Sequence, residues 1–82
     1  MITGVAMIKE HDRVVLNSDL PGAGLKAGDV GTVVHIYADG NAYELEFVAL
    51  DGKTLAVATA DRALVRPVNP REITHARELA AS

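Results

Sequence analysis

Two glutamates, Glu44 and Glu46, stand two residues apart in the segment Tyr-Glu-Leu-Glu-Phe, which places both carboxylates on one face of a predicted β-strand. Carboxylates in this arrangement can act as a general acid and base, as metal ligands, or as an acidic contact for a basic partner. No His or Asp stands at a ligand-like spacing beside them, and no apolar pocket is predicted around them. The pair is therefore interpreted as a solvated strand face, more credible as a docking surface than as a catalytic site.

The remaining candidates for catalysis or metal binding are scattered. A zinc site needs three or four converging ligands, but His11, His35 and His75 fall on an N-terminal approach, a strand exterior and the C-terminal tail. Ser18 lies in a loop and Ser82 ends the sequence, so neither occupies the sharp strand-to-helix turn of a nucleophilic serine. The sequence has no cysteine, which excludes disulfides and thiolate chemistry. We expect no catalytic residues, no metal and no cofactor, and hence not an enzyme.

Arginine is concentrated near the end of the sequence. Residues 62–77 contain four arginines against one acidic residue, Glu72. The four are Arg62, Arg66, Arg71 and Arg77. Such a basic segment can bind nucleic acid or an acidic partner, or it can be a solvated tail with internal ion pairs. The formal net charge of −3 gives no general electrostatic case for nucleic acid, so a nucleic-acid-binding module is the alternative hypothesis only.

A central hairpin must position the two glutamates. Asp39-Gly40 separates two runs rich in Val, Ile, Tyr and Phe, which is a strong hairpin signal because Gly adopts the positive φ of tight turns without a steric penalty. The second run, at 42–48, alternates apolar and polar residues cleanly. The first is apolar on both faces, which predicts a bent or bulged strand, with Gly31 as a plausible site.

The other elements follow from turn and capping signals. Strands are predicted at 12–16, 54–59 and 64–68, and a long loop at 17–27. Asn69 as N-cap, Pro70 at the first position and Glu72 as capping partner predict a helix running to about Ala80. The fold class is mainly all-β: a small five-stranded SH3-like barrel with a short C-terminal helix. An open antiparallel sheet with that helix lying across it is the alternative.

Composition and length bound the remaining possibilities. Eighty-two residues make one domain, divided as leader 1–10, barrel 11–68 and helical tail 69–82. No stretch approaches the ~20 apolar residues of a membrane span, and the first eight residues lack the basic start and the length of a signal peptide. These features favour a soluble cytoplasmic protein without membrane contact.

Six segments between Asp12 and Val68 carry a resemblance. They are Asp-Arg-Val-Val-Leu, Asp-Leu-Pro, Gly-Leu-Lys-Ala-Gly-Asp-Val-Gly-Thr-Val-Val, Tyr-Glu-Leu-Glu-Phe, Asp-Gly-Lys-Thr and Leu-Val-Arg-Pro-Val. In this order and spacing they resemble a family of small bacterial proteins classed as a domain of unknown function. The resemblance implies a compact SH3-like barrel. It also implies a partner role, since such small proteins are often encoded beside nuclease-like or toxin-like proteins. It carries no catalytic residues.

The leading functional hypothesis is a non-enzymatic protein-interaction module, in its sharpest form an antitoxin or immunity partner of a nuclease-like toxin. An acidic protein suits that role because it can cover a basic nucleic-acid groove. The predicted partner-binding residues lie on the long loop and the exposed hairpin face: Leu20, Leu25, Lys26, His35, Tyr37, Glu44 and Glu46. The uncharged strand 54–59 can also pair with a copy of itself, so both monomer and homodimer are retained.

Overall fold

The computed structural model describes residues 8–79, which form one antiparallel sheet of five strands. In chain order the strands are β1 (Arg13–Leu16), β2 (Val30–Tyr37), β3 (Ala42–Val48), β4 (Thr54–Asp61) and β5 (Val65–Pro67). They lie side by side in the order β4-β3-β2-β1-β5. Three single 3-10 turns occupy Pro21–Ala23, Ala38–Gly40 and Arg62–Leu64. The predicted all-β class with five short strands is confirmed.

The core lies on one face of this sheet and is built from small aliphatic side chains. Val14, Val33 and Leu45 are its largest fully buried residues, and Tyr43 and Phe47 supply its aromatic rings. Tyr43, Leu45 and Phe47 lie on β3 at alternate positions, as the pattern of this strand predicts. We call the opposite face of the sheet the outer face. It carries the intervening residues of β3, including the two glutamates.

A β-bulge in β2 determines which of its side chains reach the outer face. Val33 pairs with Leu45 and His35 pairs with Glu44, so Val34 is the extra residue. The bulge changes the strand's alternation, so that Val33 and Ile36 both pair with inward residues of β3. The predicted irregularity is confirmed, but it falls at Val34 rather than at Gly31. Gly31 instead leaves room for the ring of Phe47, because a Cβ at this position would lie 2.8 Å from that ring.

Aspartates stabilise several turns of the fold, as expected for this residue type. The Asp12 carboxylate accepts a hydrogen bond from the amide of Lys9, and the Asp51 carboxylate accepts one from that of Lys53. In the β2–β3 turn, Asp39 itself has φ 58° and Gly40 has φ 93°. These aspartates lie where the chain turns, so their positions in the sequence follow the positions of the turns.

The sheet is compatible with an SH3-like fold, but it does not close into a barrel. In the described part of the chain no ladder joins β4 to β5, and the two strands form the two edges of the sheet. The predicted five-stranded SH3-like barrel is therefore confirmed as an antiparallel sheet of five strands, but this sheet is open. The last strand, β5, is short, with only three residues, and it ends at Pro67, which lacks the N–H needed to extend a ladder.

The predicted C-terminal helix at 69–80 is also wrong over its described residues. The capping interactions form: the Asn69 side chain accepts from the Arg71 amide, and Glu72 accepts from the Asn69 amide at 2.7 Å. One turn follows at Pro70–Arg71, after which the chain has no regular structure to Leu79. The helix does not propagate because its apolar stripe is weak, while Arg77 and Leu79 farther along contact Asp29 and the core. We call residues 68–79 the strap.

The strap covers part of the outer face near the start of β2. Val15 points away from the core, yet it is only 6% exposed. A groove at this position is lined by Val15 and Val30 on the sheet and by Ile73 and His75 on the strap.

Residues 1–7 of the predicted leader and the predicted helix end at Ala80 lie outside the described residues. Among residues 8–79, no helix is both long and apolar enough to cross a membrane.

Candidate partner-binding surface

The bulge in β2 brings three of the predicted site residues together on the outer face. His35 pairs with Glu44 across the ladder, and Tyr37 lies two residues farther along the same strand. The Tyr37 hydroxyl donates a hydrogen bond to the Glu44 carboxylate, and this bond raises the pKa of Tyr37 above its ordinary value. The rings of His35 and Tyr37 meet edge to face, with centroids 4.4 Å apart. We call His35, Tyr37 and Glu44 the polar cluster.

Glu46 lies two residues from Glu44 on this face, beside the apolar side chain of Val57 on β4. Its carboxylate accepts a hydrogen bond from the Thr54 hydroxyl of β4, and Val57 is its cross-strand partner. Four large apolar side chains of β3, β4 and their connection are between 45% and 86% exposed. They are Val48, Leu50, Leu55 and Val57, which we call the apolar patch. The patch and the two carboxylates thus form one mixed apolar and acidic surface.

An open cleft of about 1180 Å³ separates part of this surface from the strap. Val48, Leu50, Leu55 and Glu46 line one side of it, and strap residues 74–79 line the other. A cleft of this size with an apolar wall and carboxylates at its rim can accommodate an extended segment or a side-chain cluster of another protein.

The long loop contributes less to an accessible surface than its sequence suggests. Leu20 and Leu25 pair with each other through two backbone hydrogen bonds, and this bridge closes the loop. Leu25 is buried in the core at 3% exposure, and Leu20 packs against that core. Lys26 is exposed. Of the three predicted loop residues, only Lys26 therefore presents a fully accessible side chain, and a role in partner binding stays a prediction for all three.

The four C-terminal arginines differ in their contacts. Arg66 forms a bidentate ion pair with Glu72, with N–O distances of 2.9 and 2.6 Å. The hydrogen bonds from Arg66 and from the Asn69 amide lower the pKa of Glu72 to about 2. Arg77 is paired with Asp29. Arg62 and Arg71 are exposed. Two of the four positive charges are thus neutralised within the chain.

The Asp29 carboxylate binds several groups from distant parts of the chain, and no motif in the sequence marks it. The carboxylate accepts from Arg77 Nε at 2.8 Å, from Arg77 Nη2 at 2.5 Å and from the Lys26 amide at 2.8 Å. His75 Nε2 lies 3.4 Å away. Burial raises the pKa of Asp29, but the hydrogen bonds from Arg77 and Lys26 and the nearby positive charges outweigh it, so the pKa falls below 3.8.

The Asp29 contact attaches the strap to the long loop. Arg77 Nη2 also donates to the carbonyl of Gly24 at 3.2 Å, and Leu79 packs against the core beside it. Nothing local in the sequence distinguishes Asp29 from the other turn aspartates, because its main partner is 48 residues away. Among residues 8–79, no three His, Asp or Glu side chains are grouped to hold a metal ion.

Residues 10–67 match the family described as a domain of unknown function, DUF4926. The protein belongs to this family. The predicted resemblance is confirmed, and the match includes Asp29, the polar cluster and the apolar patch, whereas the strap lies beyond it. No curated protein and no solved structure gives a significant match to the chain.

Proposed function

We propose that this protein is a non-enzymatic interaction module that docks a protein partner on the outer face of β2, β3 and β4. The observation that carries the proposal is the contiguity of the apolar patch with Glu44 and Glu46. Exposed apolar side chains that form a patch with a polar rim are typical of protein-binding surfaces, whereas isolated ones need no explanation. The partner that fits presents apolar anchors flanked by Lys or Arg side chains.

The sharper form of the hypothesis makes the partner a nuclease-like toxin. A nuclease binds nucleic acid through a basic groove, and a small protein with a net charge of −3 and a carboxylate-rimmed apolar face complements such a groove. The protein would then act as an antitoxin or immunity factor, by covering the groove.

The alternative, a nucleic-acid-binding module, depends on the C-terminal arginines. Arg62 and Arg71 are exposed and form no ion pair with a described residue, while Arg66 and Arg77 already bind carboxylates of this chain. This alternative predicts binding that weakens steeply with salt, because phosphate contacts release counterions.

The test is affinity capture with the purified full-length protein, with and without nuclease and at two salt concentrations. Leu50→Ser probes the patch, because Leu50 is 86% exposed and its replacement has little effect on folding. Ile73→Ser is the matched control, because Ile73 is 92% exposed but lies on the strap outside the patch. A second pair compares Glu46→Lys with Glu10→Lys, which makes the same charge change before β1.

A captured protein partner should stay bound after nuclease treatment. Its affinity for the Leu50→Ser and Glu46→Lys variants should be about tenfold or more below its affinity for the wild type. The two control variants should bind it as the wild type does. Equal losses in probe and control variants would refute docking on this face. Recovery of nucleic acid that is lost at moderate salt would favour the alternative.

A further inference from the structure

The outer edge of β4 has the features of a strand that pairs with another strand. It forms one edge of the sheet, and no described strand bonds to its free side. From Thr54 to Ala60 it contains no charged residue and no proline, the two residue types that usually protect an edge. The opposite edge, β5, is only three residues long and ends in Pro67.

The register of β4 on β3 determines which backbone groups face outward. The Arg62 amide donates to the Asn41 carbonyl at 3.0 Å, so the adjacent pair Ala42–Asp61 is a non-hydrogen-bonded pair. Alternation along an antiparallel ladder then makes Tyr43–Ala60 and every second pair hydrogen-bonded. Ala58 and Ala60 therefore bond to β3. Val57 and Thr59 direct their N–H and C=O groups away from it.

We infer that β4 pairs with β4 of a second copy of this chain, antiparallel, about a two-fold axis at Val57. This register places Val57 opposite Val57 of the second copy, where the outward N–H and C=O groups can bond directly. It also places Leu55 opposite Thr59 and Lys53 opposite Asp61. Each pairing except the central one occurs twice, as two-fold symmetry requires.

Charge complementarity favours a second copy as the occupant of this edge. The uncharged segment of β4 is flanked by Lys53 on one side and by Asp61 on the other, and both are exposed. Only antiparallel pairing brings the positive end of one strand beside the negative end of the other. Leu55 is the extra residue of a β-bulge in the ladder with β3, and two-fold symmetry sets it opposite Thr59 on both sides of the axis, so we expect the most regular hydrogen bonds at the central Val57 pair.

The dimer would join the outer faces of two sheets and bring their apolar patches side by side at Val57. Edge pairing alone buries less area than the roughly 1,200 Å² of stable interfaces, so association should be reversible and depend on concentration. The inference does not depend on the proposed function, since it concerns only two copies of this chain.

The first measurement is sedimentation velocity of the full-length protein from about 5 µM to about 1 mM, where mass action populates a weak dimer. The expected result is a rise from monomer to dimer mass. Val57→Pro should remain monomeric, because Val57 bonds outward and its proline variant keeps the ladder to β3. A wild type that stays monomeric throughout, or a proline variant that dimerises as the wild type does, would overturn the inference.

A charge exchange tests the register. Lys53→Asp and Asp61→Lys each place like charges together twice in a homodimer, so each variant should dimerise about tenfold more weakly than the wild type. Mixing the two variants creates only opposite pairs, so a heterodimer should form with at least wild-type affinity. Lys9→Asp, a charge change outside β4, should leave dimerisation unchanged. Failure of the mixture to associate would refute this register, and so would an equal loss with Lys9→Asp.

Discussion

Asp29 and Gly31 lie two residues apart where the chain enters β2, and each is constrained by a residue far along the sequence. Asp29 holds the guanidinium of Arg77, and Gly31 leaves room for the ring of Phe47. Asp29 is the one buried charged residue among those that the structure describes, and its carboxylate lies beside four nitrogen atoms of Lys26, His75 and Arg77. At this scale the fold depends on complementarity between individual groups, since a buried carboxylate without partners would be strongly destabilising.

Gly31→Ala should reduce the free energy of unfolding by about 1–3 kcal/mol, the usual effect of overpacking. The new Cβ would lie 2.8 Å from Phe47, whose ring is buried and cannot move away freely. Gly22→Ala is the control, because no atom lies within 4 Å of a Cβ there and Gly22 is exposed. Urea unfolding followed by circular dichroism measures both. Equal stability of the two variants would contradict the steric explanation.

The Glu72 carboxylate should titrate at a pH of about 2 in the folded protein, below its ordinary 4.5, because Arg66 and the Asn69 amide stabilise its charged form. Since the folded pKa is depressed, the stabilisation from this group is present above pH 4.5 and is lost as the pH falls toward 2. Carboxyl chemical shifts in an NMR titration measure it. Arg66→Gln should move the titration back toward 4.5, whereas Arg62→Gln should leave it unchanged. A wild-type midpoint near 4.5 would show that the ion pair does not form.

At the scale of elements, the strap depends on side chains rather than on regular backbone structure. Its start is fixed by Glu72 on Arg66, and its end by Arg77 on Asp29 and Leu79 on the core. Backbone hydrogen bonds to the sheet are not found for its described residues. Such a segment can be released without disrupting the strand ladders, so its stability is local.

Arg77→Ala should release the C-terminal part of the strap, because it removes two hydrogen bonds to Asp29 and leaves that carboxylate with fewer partners. We expect the free energy of unfolding to fall by about 1–3 kcal/mol. Cleavage after Glu78 by a glutamyl endopeptidase should become faster. Arg71→Ala removes an exposed arginine from the same segment and should change stability by less than about 0.5 kcal/mol. If both variants are cleaved at the wild-type rate, the Asp29 contact does not hold the strap.

At the scale of the whole molecule, a single sheet in a chain of 82 residues carries a thin core on one face and leaves a large outer face. The strap covers this face near β1, while the region over β3 and β4 retains the apolar patch. This architecture predicts modest stability, and it leaves the apolar patch exposed.

Full-length protein should unfold in urea in one transition with a free energy of about 5 kcal/mol, the low end for small domains. If β4 pairs two copies, the apparent stability should also increase with protein concentration, because association stabilises the folded state by mass action. Far-UV circular dichroism at two concentrations measures both. A value above about 10 kcal/mol at low concentration would contradict the view of a thin core.

The sequence by itself determined the local features of this protein. Alternation in 42–48, the Asp-Gly turns and the proline at position 67 act over a few residues, and they predict the strands, the hairpin and the short edge strand. They also predict both glutamates on one face. The capping box at Asn69 is likewise local, and it forms even though the helix it predicts does not.

Only the tertiary structure decided the position of the bulge, the open sheet and the path of the strap. The bulge at Val34 is selected because inward residues of β2 must meet those of β3, a requirement of packing rather than of residue type. The helix is lost because Arg77 and Leu79 gain more from Asp29 and the core than a weakly amphipathic helix would provide. Arg77 contacts Asp29 and Gly24, which lie 48 and 53 positions away, a distance over which no local pattern carries information.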